Sequence, residues 1–231
     1  MNFPRLLRVI EKISGIERIR FTTSHPKDFS AELVEAIAGS SKVCEHIHLP
    51  FQSGSDKILK SMNRKYTQFE YLKKVEILRN KIPGAALTSD VIVGFPGEKE
   101  EDFQQTLHLI EKVRFDGLFT FLYSIRPQTA AGNFSDQVPT NIKQERFEIM
   151  LQMQNEISSE RNKALLGSRQ EVLVEKILAG KDKFGSNKKL RGRTRLNKIV
   201  EFTGPPELLG TLQETKIIRA NRFNLEGVLI S

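Results

Sequence analysis

His46-Ile47-His48-Leu49-Pro50-Phe51-Gln52-Ser53-Gly54-Ser55-Asp56-Lys57-Ile58-Leu59-Lys60-Ser61-Met62-Asn63-Arg64 passes from an apolar run, through a proline and a small polar turn, into an amphipathic pattern. Ile58, Leu59 and Met62 recur at helical spacing. Gly54 permits a tight turn, and Ser55 or Asp56 can cap the helix that follows. The segment therefore reads as strand, turn, helix. Two uses of the turn stand side by side. It is an ordinary βα loop with a good cap, or a strand end whose amide and hydroxyl groups, Gln52, Ser53 and Ser55, hold a ligand.

Outward from this unit the same rhythm repeats. Arg18–Thr22, Glu45–Pro50, Leu87–Val93 and Gly117–Tyr123 read as strands, and Leu33–Ala38, Asp56–Met62, Phe69–Lys81 and Glu100–Val113 as helices. Leu6, Leu7, Ile10 and Ile13 predict a leading helix. Alternation of this kind builds a parallel sheet with right-handed crossovers. The strands are nearly continuous in apolar residues, as in a sheet covered on both faces. Residues 128–139 are rich in Ala, Gly, Asn, Ser and Pro and read as a loop. Thr140 then caps a helix from about Asn141 to Leu165, whose expected apolar stripe is Ile142, Ile149, Met153 and Ile157, and Gly167 ends it.

Beyond Ser168 the segments shorten. Glu171–Lys176, Lys198–Phe202 and Thr215–Arg222 read as strands, with Gly180, Gly185, Gly192, Gly204, Gly210 and Gly227 as turns. Evenly spaced short strands predict a small OB-like barrel. This tail is basic: residues 167–231 hold 13 Lys and Arg against 7 Asp and Glu, whereas residues 1–166 hold 23 against 21. Lys188, Lys189, Arg191, Arg193, Arg195 and Lys198 are its candidate phosphate contacts; the competing reading is a solvated basic face.

Hydrophobic residues at 39% and charged residues at 28% suit a folded, intracellular class. No apolar run is long enough to span a bilayer, so no membrane partner is expected. The single cysteine, Cys44, excludes an intramolecular disulfide framework and precedes an apolar strand, where a buried, inert thiol is expected. Serine nucleophile elbows, zinc spacings and Walker loops are missing, and no metal site is expected in this chain.

Four blocks, taken in order, resemble the tRNA methylthiotransferases, radical S-adenosylmethionine (SAM) enzymes that modify adenosine 37 beside the anticodon. They are Arg20–Pro26, the His46–Arg64 stretch, Ser89–Glu98 and Phe119–Pro127. The Ser24-His25-Pro26 and Leu49–Asp56 wording resembles the branch acting on isopentenyl-adenosine tRNA. Leu190–Lys198 resembles the signature of TRAM, an RNA-binding domain. The resemblance implies an α/β chain, a partial radical-SAM (β/α) barrel followed by a small all-β OB-like TRAM barrel. It divides the chain into residues 1–132, the C-terminal part of the radical-SAM barrel; residues 133–166, connecting loop and long helix; and residues 167–231, TRAM.

The resemblance also implies a function: addition of a methylthio group to C2 of N6-isopentenyl-adenosine 37, in the cytoplasm, with the tRNA anticodon stem-loop as partner. The cofactors would be SAM and [4Fe-4S] clusters. The family binds its clusters through cysteines, including a Cys-x3-Cys-x2-Cys motif, and these are absent here. The chain alone is thus expected to be inactive, with a missing N-terminal half as partner if the gene is split. The alternatives are a non-catalytic RNA-binding fragment, or the sister enzyme acting on a ribosomal protein. By resemblance Gln52, Ser53 and Ser55 meet the SAM sugar and Gly94 and Glu98 its adenine, Glu98 serving equally as charge complement for the helix from Glu100. Arg126 would hold the methionine carboxylate or the tRNA. The family has Gly after its Arg-Pro pair, where this chain has Gln128. His25 is a proton donor or a structural residue before Pro26.

Overall fold

Pro50 cannot donate to a ladder, so the first strand of the βα unit must stop before it. In the computed structural model, which describes residues 1–22, 25–178 and 187–230, it does. The chain divides into two compact units, Met1–Gln154 and Asn155–Ser231.

The first unit contains α1 (Phe3–Glu11), α2 (Ala31–Ala38), β1 (His46–His48), α3 (Asp56–Ser61), α4 (Gln68–Lys81), β2 (Ala86–Val93), α5 (Glu100–Val113), β3 (Gly117–Leu122) and the start of α6 (Thr140–Lys163). The three strands form one parallel sheet in the order β1-β2-β3. Asp90 pairs with Phe119 and Ile92 with Phe121. Leu87, Ser89, Val91 and Val93 are buried along one face of β2, while Thr88, Asp90 and Ile92 on the other face are half-buried. That alternation is the period of two that a pleated strand imposes.

Several expectations are corrected. Arg18–Thr22 is not a strand; it makes one parallel bridge, Ile19 to Val43. The reason is local: the amides of Lys42 and Val43 both turn onto the Ser40 hydroxyl, at 3.2 and 3.1 Å, so the neighbouring chain is bent rather than extended. Thr140 begins α6 rather than capping it; the Lys143 amide reaches the Pro139 carbonyl at 3.0 Å. The buried stripe of α6 is Arg146, Met150, Gln154 and Ile157, and Ile149 is exposed. The packed face lies one residue on from the expected Ile149 and Met153, at Met150 and Gln154, because buried polar residues are invisible to an apolar count.

The second unit is a closed barrel of five strands, β4 (Arg169–Ile177), β5 (Lys188–Thr194), β6 (Ile199–Gly204), β7 (Leu212–Ala220) and β8 (Leu225–Leu229), in the order β4-β5-β6-β8-β7. Closure removes the unpaired edges that an open five-stranded sheet would carry. Val172, Val174, Leu190, Val200, Phe202, Ile217 and Leu225 fill its core. β5 and β8 were not expected as strands. Gly192 and Gly227, expected as turns, lie inside them. A Cβ on Gly192 would collide with the Leu173 carbonyl, and one on Gly227 with Thr215, so here glycine permits close approach rather than reversal. Gly180 and Gly185 lie outside the described residues. Among the described residues no helix is long and apolar enough to cross a membrane.

Candidate functional site

The ends of β1, β2 and β3 converge on a cavity of about 570 Å³, lined among others by Gln52, Asp90, Ile92, Tyr123, Arg64 and Arg126. Ligands of parallel sheets gather at strand C-terminal ends, and this volume suits a small molecule.

The turn after β1 is built by its neighbours. Ser89 Oγ donates to the Leu49 carbonyl at 2.7 Å and accepts from the Phe51 amide at 2.9 Å, carrying the ladder past Pro50. The Tyr71 hydroxyl also donates to Leu49, at 2.8 Å. Gln52 follows with φ of 66°, its amide on the Asp90 carbonyl and its carbonyl accepting from Ile92. A non-glycine residue in the left-handed region is strained, and such strain clusters at functional sites. Gln52 is only 7% exposed, yet it borders the cavity.

Ser53 and Ser55 are placed differently. Ser53 Oγ accepts from the Ser55 amide at 3.2 Å. Ser55 Oγ caps α3 and donates to Asp102 Oδ1 at 2.6 Å. Lys57 Nζ and the Lys99 amide donate to the second Asp102 oxygen, at 2.8 and 2.9 Å. Burial pushes the Asp102 carboxyl up, but Lys57, Ser55 and the Lys99 amide together outweigh it and hold it below the usual carboxylate range. Gly54 donates to Thr106 Oγ1 at 2.9 Å, with the α5 backbone where a Cβ would sit. Ser55 ties the turn to α5, Ser53 braces the turn itself, and neither lines the cavity.

The turn after β2 has the same character. Gly94 (φ 73°) donates its amide to Glu98 Oε1 at 3.0 Å, and Arg146 of α6 donates to the same oxygen at 2.9 Å. Burial pushes Glu98 up, against the opposing pull of the Gly94 amide and the Arg146 guanidinium. Glu98 and Gly94 thus brace the loop while Phe95 between them faces the cavity. Arg146 escaped the sequence reading. Its signal was an arginine four residues after Ile142, on the stripe read as apolar.

After β3, the Tyr123 ring packs edge-on to Phe95 at 5.2 Å and lies 5.1 Å from Lys143 Nζ. Its hydroxyl is buried and, among the described residues, has no hydrogen-bond partner. Arg126 is exposed at the cavity rim, and its carbonyl accepts from Thr129 Oγ1 at 2.9 Å. Gln128 adopts φ of 74°, so the left-handed geometry natural to glycine persists without one.

The half-buried face of the sheet carries a polar row that sequence reasoning also missed. Thr88 Oγ1 lies 3.2 Å from His46 Nε2 and 3.1 Å from His48 Nδ1, and His48 Nε2 lies 3.4 Å from Asp90 Oδ1. The hydroxyl's one proton serves one imidazole nitrogen, so the other nitrogen donates to it. The row leads to Asp90 at the cavity. Alternation of polar residues along β1 and β2 was the available signal. His25 instead caps a 3-10 turn, its Nδ1 accepting from the Lys27 amide at 3.0 Å.

In the barrel, Lys189, Arg191 and Arg193 alternate outward along β5, and acidic side chains meet all three. Glu201 takes Lys189 and Arg191, each at 2.6 Å, and Glu175 takes Arg193 at 3.2 Å. Lys188 is half-buried at the start of β5; Arg195 and Lys198 lie in the β5–β6 turn.

Comparison with known proteins agrees with this architecture. The model of the radical SAM superfamily matches residues 1–110. A tRNA-2-methylthio-N(6)-dimethylallyladenosine synthase of Alkaliphilus oremlandii is 53% identical over 230 residues, covering 100% of this chain and 48% of that protein. The chain belongs to the radical SAM methylthiotransferase family. The synthase of Carboxydothermus hydrogenoformans is 51% identical over 99% of the chain and 51% of its own length. The chain thus spans about half the length of the curated relatives it matches. Coproporphyrinogen III oxidase of Escherichia coli, a radical SAM enzyme, shares the fold: TM-score 0.51 at 15% identity, over 81% of this chain and 50% of that one.

The family's two cofactors fare differently here. A four-iron cluster needs several thiolates, and this chain has one cysteine, Cys44, 2% exposed in the core. The cluster does not fit on these residues alone. SAM fits the cavity: a tyrosine with an orphaned buried hydroxyl, a strained glutamine and two arginines line a space of suitable size.

Proposed function

We propose that this chain forms the SAM-holding and RNA-gripping part of a tRNA methylthiotransferase acting on N6-isopentenyl-adenosine 37 in the cytoplasm. The observation that carries the proposal is the 53% identity, over the full chain, to a protein named for that reaction. In this reading Gln52 fixes the polar edge of SAM, Tyr123 lines its pocket, and Arg126 pairs with its carboxylate. When bound, SAM supplies the radical initiator of the family's chemistry. Ser55, Asp102, Glu98 and Arg146 keep the two loops in place, and Asp90 offers a carboxylate to a hydrogen-bond donor of the substrate. The cluster cysteines belong to a segment other than this chain. The small barrel, which we assign to the TRAM class, binds the tRNA anticodon arm through its basic surface.

A chimera tests the reading. This chain replaces the matching half of the Alkaliphilus oremlandii synthase, in cells lacking their own synthase. The methylthiolated nucleoside should reappear in digested tRNA by mass spectrometry. A folded chimera that binds SAM yet leaves the tRNA unmodified would overturn the proposal.

A further inference from the structure

The β7–β8 hairpin ends in Asn221-Arg222-Phe223-Asn224, and Phe223 is 74% exposed. A large aromatic ring at a loop tip gains nothing from burial in this chain. The tip is nevertheless well held. The Asn221 amide donates to the Asn224 carbonyl at 2.9 Å, and the flanking residues Ala220 and Leu225 are ladder partners. From beneath, Asn162 of α6, 4% exposed, donates to the carbonyls of both Asn221 and Arg222, at 2.9 and 3.1 Å. A buried amide spent on two loop carbonyls holds the backbone that presents Phe223. That lowers the ordering entropy a partner must overcome.

Arg222 lies with its guanidinium carbon 4.2 Å from the Phe223 ring centroid. Lys189, Arg191 and Arg193 all have carboxylate partners; among the described residues Arg222 has none. Its positive charge therefore stays available beside an open π-face, on a barrel with an excess of basic residues. Stacked bases next to phosphates are the ligand that matches both features, because every base offers a π-face and its phosphate a negative charge.

We infer that the hairpin tip is a stacking platform for an unpaired base of RNA, with Phe223 as the platform and Arg222 as its cation. The inference rests on the RNA-binding reading of the barrel and adds the residue pair that takes a base out of bulk solvent. Stacking is tolerant of base identity, so the site grips single-stranded RNA without choosing sequence. Duplex RNA, with its bases already stacked, gains little from it.

The chain contains no tryptophan, so Phe223→Trp installs a unique fluorescent reporter. The full chain is titrated with a single-stranded oligoribonucleotide of about ten residues, and separately with a duplex. Phe223→Ala should weaken single-strand binding roughly 5- to 150-fold and leave the salt slope unchanged, since no phosphate contact is lost. Phe223→Trp should keep wild-type affinity, and the single strand should quench its emission far more than the duplex. Wild-type affinity in Phe223→Ala together with unquenched Phe223→Trp would overturn the stacking site while RNA binding stands. A wild-type chain that binds neither RNA would overturn both readings.

Discussion

Two glutamines hold backbone conformations that favour glycine, and they contrast usefully. Gln52 and Gln128 have φ of 66° and 74°. A left-handed L-residue costs about 1–2 kcal/mol. Gln52 borders the cavity and has both backbone groups in the ladder, so its strain falls at the candidate site. Gln128 is exposed, in the turn that follows Arg126. Replacing it with glycine should raise stability by about 0.5–1 kcal/mol, strain relief less the added unfolded-state entropy. A urea titration with unchanged slope and a raised midpoint would register this; a lowered midpoint would show that the side chain holds the turn.

At the scale of elements, Asp102 joins two helix starts. It accepts from Ser55, the cap of α3, and from the Lys99 amide that opens α5, with Lys57 completing the set. Its carboxyl is held below the ordinary value, so the native state binds this proton less readily than the unfolded chain. The stability it contributes is therefore present above the unfolded value, about 3.9, and is lost as pH falls through the lower native one. Asp102→Asn should lower stability at neutral pH by about 1.5–3 kcal/mol, the range for hydrogen bonds to a charged group. It should also flatten the acid limb of the stability profile. Parallel wild-type and variant profiles below about pH 4 would contradict this role.

Across the whole molecule, charge is concentrated rather than spread. Residues 167–231 carry 13 Lys and Arg against 7 Asp and Glu, out of a formal net charge of +8 for the chain. Yet Glu201 engages both Lys189 and Arg191 on the outer face of β5, and these neighbours hold its carboxyl below the usual range. Two phosphate contacts must therefore compete with an internal carboxylate. Glu201→Gln should strengthen RNA binding and steepen the log–log salt dependence by about one to two units, at ~0.7–0.9 per released contact. Titrations at several salt concentrations would show it. Equal slopes would mean that the ion pairs already yield to phosphate at no cost.

The order of elements was legible because βα alternation is local. Glu100–Val113 matches its expected bounds, and Asp56, Gln68 and Gly117 begin elements within a residue of expectation. Ser55 as a cap was readable for the same reason: its acceptor role spans three residues. Four ordered motifs carried the family, and a cysteine count alone excluded a cluster on this chain. What tertiary structure decided is long-range pairing. Arg146 meets Glu98 across 48 residues, and Asn162 meets the hairpin tip across 59 and 60. Periodicity scores such polar residues as surface, because it sees hydrophobicity and not the partner that makes burial tolerable. The same limit separated Gln52 from Ser53 and Ser55. All three are small or polar and adjacent, but a left-handed turn brings one to the cavity, while a bond within the turn claims Ser53 and one to α5 claims Ser55. Nor could sequence show that β5 and β8 are strands, since their glycines are required by backbones brought close only when the barrel closes.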